Sequence, residues 1–108
     1  MKNVRERIEM LTKQRTTLNI SERDMSSERY SKIITQLYEN SEGWLGFNKS
    51  LICWFNDDET KKHISFSAEV HGLIFDALMK EDEWQIWLND FMREATKKFG
   101  FEVLNYDA

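Results

Sequence analysis

The spacing of hydrophobic residues changes period several times along this chain, and each period predicts an element. The plainest stretch covers residues 82–100. Trp84, Trp87, Leu88, Phe91, Met92, Ala95 and Phe99 recur at the three- and four-residue steps of one helical face, while Glu83, Asn89, Asp90, Arg93, Glu94, Lys97 and Lys98 fill the other. Asp82 is placed to cap the start of this helix, and Gly100 to end it in the left-handed conformation that glycine adopts cheaply. Tyr30, Ile33, Ile34, Leu37 and Tyr38 make a second core-facing helix, which should stop near 40–42 because Gly43 and Gly46 flank Trp44.

Val4, Ile8, Leu11 and Leu18 form a narrower stripe, which predicts a helix from Lys2 to about Arg15. So thin a stripe buries little, placing the helix on the outside of the domain or against a second copy. Residues 16–20 read either as its frayed end or as a short extended piece. Ser21, Asp24, Ser26 and Ser27 then mark a loop that sets up the second helix.

The continuous apolar run 51–55 reads as a strand covered on both faces, and Ile64, Phe66 and Ala68 alternate with His63, Ser65 and Ser67 as a second strand. The polar turn at 56–60 joins them in a hairpin. Beyond it, Val70, Leu73, Ile74, Ala77 and Leu78 follow helical spacing, and Phe75 and Met79 widen the apolar face, so 70–79 is expected to be the most buried helix. Gly72 weighs against that, because glycine inside a helix costs roughly 1 kcal/mol relative to alanine; the alternative has the strand continue to Val70 and the helix start at His71. Residues 101–106 form a closing strand. The expected fold is a single α+β domain over 1–108, a small, mainly antiparallel three-stranded sheet with about four helices packed on it and 1–18 as a peripheral N-terminal helix.

Composition adds limits. At 41% hydrophobic and 13% aromatic residues, the chain can build a core, and no run of apolar residues is long enough for a membrane span or a signal peptide, so a soluble, cytoplasmic protein with no membrane partner is expected. The net charge of -4 is unevenly spread. Residues 1–54 hold nine Lys/Arg against seven Asp/Glu, and residues 55–108 hold six against twelve. An acidic C-terminal half attracts basic surfaces and repels nucleic acid.

Catalytic chemistry finds little support. None of Gly43, Gly46, Gly72 and Gly100 belongs to a phosphate-binding loop, and neither cofactor nor metal is expected, since one cysteine and two histidines at these spacings fit no compact ligand set. Cys53 with His63 as base would be the minor enzymatic reading, but a cysteine between Ile52 and Trp54 reads as an inert core residue. The basic residues Arg5, Arg7, Lys13, Arg15, Arg23 and Arg29 are interleaved with acids and read as a mixed solvated face.

The acidic clusters are the more informative feature: Asp57, Asp58 and Glu59 in the hairpin turn, Glu81, Asp82 and Glu83 before the last helix, and Asp90 with Glu94 one turn apart. Their plain reading is a solvated surface and a favoured helix start. Beside aromatic anchors, however, such clusters also suit a protein that plugs a basic cleft. Trp44 sits between two glycines and is the tryptophan least explained by packing; Ile86 lies off the apolar face of the last helix.

With its size, acidity and the features at 57–59 and 81–84, the chain resembles, at the level of class, the small bacterial immunity proteins that neutralise toxin domains, including those of contact-dependent growth inhibition systems. That resemblance implies a non-catalytic inhibitor that occludes a cognate toxin domain, frequently a basic nuclease. The expected binding residues are Trp44, Asp57, Asp58, Glu59, Glu81, Asp82, Glu83, Ile86, Asp90 and Glu94. The alternative is a regulatory or assembly subunit that dimerises through Val4, Ile8 and Leu11 of the first helix.

Overall fold

A computed structural model describes residues 10–47 and 51–107. Its elements are β1 (Thr12–Leu18), a 3-10 turn (Glu22–Asp24), α1 (Ser27–Asn40), β2 (Ile52–Trp54), β3 (His63–Glu69), β4 (Gly72–Met79) and α2 (Glu81–Phe99). The strands form one antiparallel sheet in the order β1-β4-β3-β2, so β4 and β3 lie inside it and the first strand pairs with the last. The domain is α+β, but among the described residues it has four strands and two helices, which corrects the expected three-stranded sheet with about four helices.

Within the described residues, two segments expected as helix are strand, for different reasons. From Thr12 onward the first is β1, whose even-numbered residues face the helices and odd-numbered ones face away; Val4 and Ile8 lie outside the described residues. Its inward positions before Leu18 are Thr12, Gln14 and Thr16, so the strand alternation hides under polar side chains and only β-branching betrays it. β4 misleads in the opposite way. Leu73, Phe75, Ala77 and Met79 are buried toward the helices, while Ile74 and Leu78 are half-buried on the other face. A central strand that is apolar on both sides loses its period of two and mimics a buried helix.

Gly72 resolves the conflict it raised. A Cβ there would collide with the backbone carbonyl of Leu18, so glycine permits the close approach of β1 to the start of β4. Val70 and His71 form the tight turn between the paired Glu69 and Gly72. The expected closing strand is not one: 101–106 runs beside the end of β1, with a single bridge from Asn105 to Leu18 and hydrogen bonds from Tyr106 N to Thr17 O (2.8 Å) and from Asn19 N to Leu104 O (3.2 Å).

Both helices cover one face of the sheet. Ser26 caps α1 by accepting from Arg29 N at 3.2 Å, and Gly100 ends α2 in the left-handed conformation, as its position suggested. The N-cap of α2 is Lys80, not Asp82, whose Oδ1 accepts from Glu83 N. Arg29 donates to Phe99 O at 3.0 Å, joining the start of α1 to the end of α2, so the helices run antiparallel. Between them and the sheet lies an aromatic core. Trp54 and Phe75 are fully enclosed, with Trp87 5.3 Å from Trp54 and 5.2 Å from Phe75 between ring centroids, both edge-on. Trp84 and Phe91 extend the cluster along α2, so three of the four tryptophans are core, as their spacing implied.

Candidate protein-docking face

Glu83, Ile86, Asp90 and Glu94 are spaced three, four and four residues apart on α2 and therefore share one edge of the helix. Ile86 is 64% exposed, although Trp84 and Trp87 on either side of it are buried. Trp87 and Phe91 turn inward from this edge, and the end of α1 approaches it from across the layer. The result is a groove of about 470 Å³ with Leu37, Trp87 and Phe91 along its floor, Asp90 and Glu94 on one wall and Asn40, Ser41 and Glu42 on the other; Lys98 stands at its far end.

The turn after α1 is held by hydrogen bonds. Ser41 donates its N–H to Tyr38 O (3.3 Å) and its hydroxyl to Leu37 O (2.6 Å), and Trp87 Nε1 donates to Glu42 O at 2.9 Å. A second depression shares Glu42 and Trp87 with the first and is bounded by Phe55, Lys62, Met79, Glu83 and Ile86. The two make a continuous strip. Sequence reasoning missed Glu42, because its placement opposite Asp90 and Glu94 depends on how the two helices pack and on nothing local.

The carboxylates of the strip are partly matched by neighbouring cations. Lys62 Nζ lies 3.1 Å from Glu83 and 4.2 Å above the ring of Phe55, and Lys80 lies 3.9 Å from Glu83. Asp90 pairs with Arg93 at 2.8 Å and Glu94 with Lys97 at 3.5 Å. Arg93 and Lys97 belong to the opposite flank of α2, with Met92, Thr96 and Glu102. Glu83 is thus the most heavily neutralised member of the row, whereas Glu42 is exposed at the groove and, among the described residues, forms no ion pair.

The remaining expected binding residues lie elsewhere. Glu81 and Asp82 are exposed in the first turn of α2, where the helix dipole favours acids, and line neither depression. Asp58 shapes its own turn: Oδ1 accepts from Thr60 N (2.9 Å) and Thr60 Oγ1 (2.7 Å), and these bonds hold its carboxyl below the usual range. Asp57 is exposed beside it, and Glu59 borders a depression on the face of the sheet opposite α1 and α2 with Lys13, His63 and Asp76. Glu59 therefore lies on a different surface from the α2 acids. Trp44 is half-buried, its ring 6.1 Å from Tyr38 and 5.2 Å from Trp54, so packing accounts for it after all. The exposed apolar residues near it are Leu45 and Phe47.

Cys53 is 0% exposed, which puts its thiol out of reach of a substrate arriving from solvent. His63 Nδ1 lies 2.8 Å from Lys61 O, and His71 is exposed in the β3–β4 turn. Among the described residues, no three His, Cys, Asp or Glu converge as metal ligands would, and no helix is long and apolar enough to cross a membrane. No protein-family model, curated protein or solved structure matches this chain.

Proposed function

We propose that the protein is a non-catalytic inhibitor of the immunity type, which binds a cognate bacterial toxin domain with a basic surface, such as a nuclease, and occludes its active site or a neighbouring surface. One observation carries this reading: an isoleucine 64% exposed in the middle of a row of carboxylates, on a helix anchored by buried tryptophans. An aliphatic anchor ringed by charge, presented on a rigid element, combines the features that hold a protein complex and speed its encounter. The alternative of assembly through the first helix draws no support from residues 12–18, which are extended. Its stripe residues Val4 and Ile8 fall outside the described residues.

Mixing the protein with the toxin domain encoded in the adjacent reading frame tests the reading. A complex in size-exclusion chromatography that weakens as salt rises is expected; no complex at low salt overturns it.

A further inference from the structure

Resting on that reading, we infer that the groove between α1 and α2 receives an arginine side chain of the protein partner. The floor formed by Leu37, Trp87 and Phe91 is apolar and suits the aliphatic stem, and the carboxylates stand on opposing walls, Glu42 on one and Asp90 with Glu94 on the other. A guanidinium spreads five donors in a plane and can bridge carboxylates on two sides while resting on aromatic carbon, which a compact ammonium does less well. Among the described lining residues the carboxylates outnumber the single cation, Lys98, at the groove's far end.

Asp90 and Glu94 are shared with Arg93 and Lys97 only through contacts in which every side chain is at least 48% exposed. Such pairs hold weakly and exchange partners readily. An incoming arginine can therefore recruit both acids without dismantling the fold. The groove itself is fixed, because the Trp87 indole in its floor is tied to the Glu42 carbonyl on its wall.

Trp87 reports on the groove directly. In ¹⁵N-labelled protein at low salt, adding an acetylated, amidated triarginine peptide should shift the Trp87 indole signal saturably. The uncharged triscitrulline analogue should not, and Asp90→Asn with Glu94→Gln should weaken the triarginine affinity roughly tenfold. The indole signal of Trp54, which is 0% exposed, verifies that the variant keeps its fold. An unmoved Trp87 signal, equal binding of both peptides, or an affinity unchanged by the double substitution overturns the inference. A toxin complex that forms while Trp87 ignores triarginine removes the inference and leaves the proposed function standing. Arginine binding without a toxin complex does the reverse.

Discussion

The indole N–H of Trp87 donates to the backbone carbonyl of Glu42 across 2.9 Å, joining the middle of α2 to the turn that ends α1. Trp87 is 4% exposed and Glu42 is exposed, so this part-buried contact ties the groove's floor to its wall between two elements 45 residues apart in sequence. Trp87→Phe keeps an aromatic ring but removes the donor. The substitution is expected to lower stability by about 1 kcal/mol for the lost hydrogen bond, more for the trimmed ring. A thermal melt should show a drop of several degrees, and an unchanged Tm would mean that the bond contributes nothing.

Neighbours on α2 should respond very differently to truncation. Trp84 is 2% exposed and packs on Trp87 at 5.8 Å, so Trp84→Ala should cost on the order of 3–5 kcal/mol. Ile86→Ala, two residues on, should stay within about 0.5 kcal/mol of the parent. Urea unfolding separates the two, and a large loss at Ile86 would show that it is structural and not presented for a partner.

Gly72 is required by contact. Gly72→Ala drives a methyl into the Leu18 carbonyl and should destabilise the β1–β4 pairing by about 1–3 kcal/mol. Gly100→Ala meets nothing within 4 Å and carries only the conformational cost of φ +85°, roughly 1 kcal/mol. Denaturant midpoints should therefore fall further for Gly72→Ala, and the reverse order would place the close approach elsewhere.

Stability should also fall at alkaline pH. Burial pushes the Tyr38 hydroxyl well above its ordinary value, with smaller contributions from Tyr30 and Cys53, and burial together with Glu22 raises Tyr30. Both groups resist ionisation in the fold but ionise freely once unfolded. Their contribution is intact below the unfolded phenol value, near 10, and is lost as pH climbs from there toward the raised folded values. Absorbance titration of phenolate should show Tyr30 and Tyr38 ionising late or together with unfolding. Ordinary ionisation with the fold intact would contradict the packing around them.

How much of this was legible beforehand depended on whether a segment's period survived its surroundings. α1 and α2 each pack one face on the sheet, so Tyr30 to Tyr38 and Trp84 to Phe99 kept the helical step. β3 kept its alternation through Ile64 and Phe66. β4 lost its period because both of its faces are apolar, and β1 hid its own under Thr12, Gln14 and Thr16. Of the expected binding residues, Glu83, Ile86, Asp90 and Glu94 do converge, since helical spacing alone puts them on one edge. Glu42 could not be found that way, and separating Glu59 from the α2 acids required knowing that Glu59 reaches the side of the sheet opposite α1 and α2.

The central claim is that the α2 edge is what a basic toxin domain meets. Calorimetric titration of that domain with the parent protein, with Ile86→Ala and with Asp90→Lys tests it most directly. A measurable affinity for the parent is expected, weakened roughly tenfold or more by each substitution while the Tm of the free protein stays unchanged. Equal affinities for all three proteins would contradict the claim and place the interface on another surface.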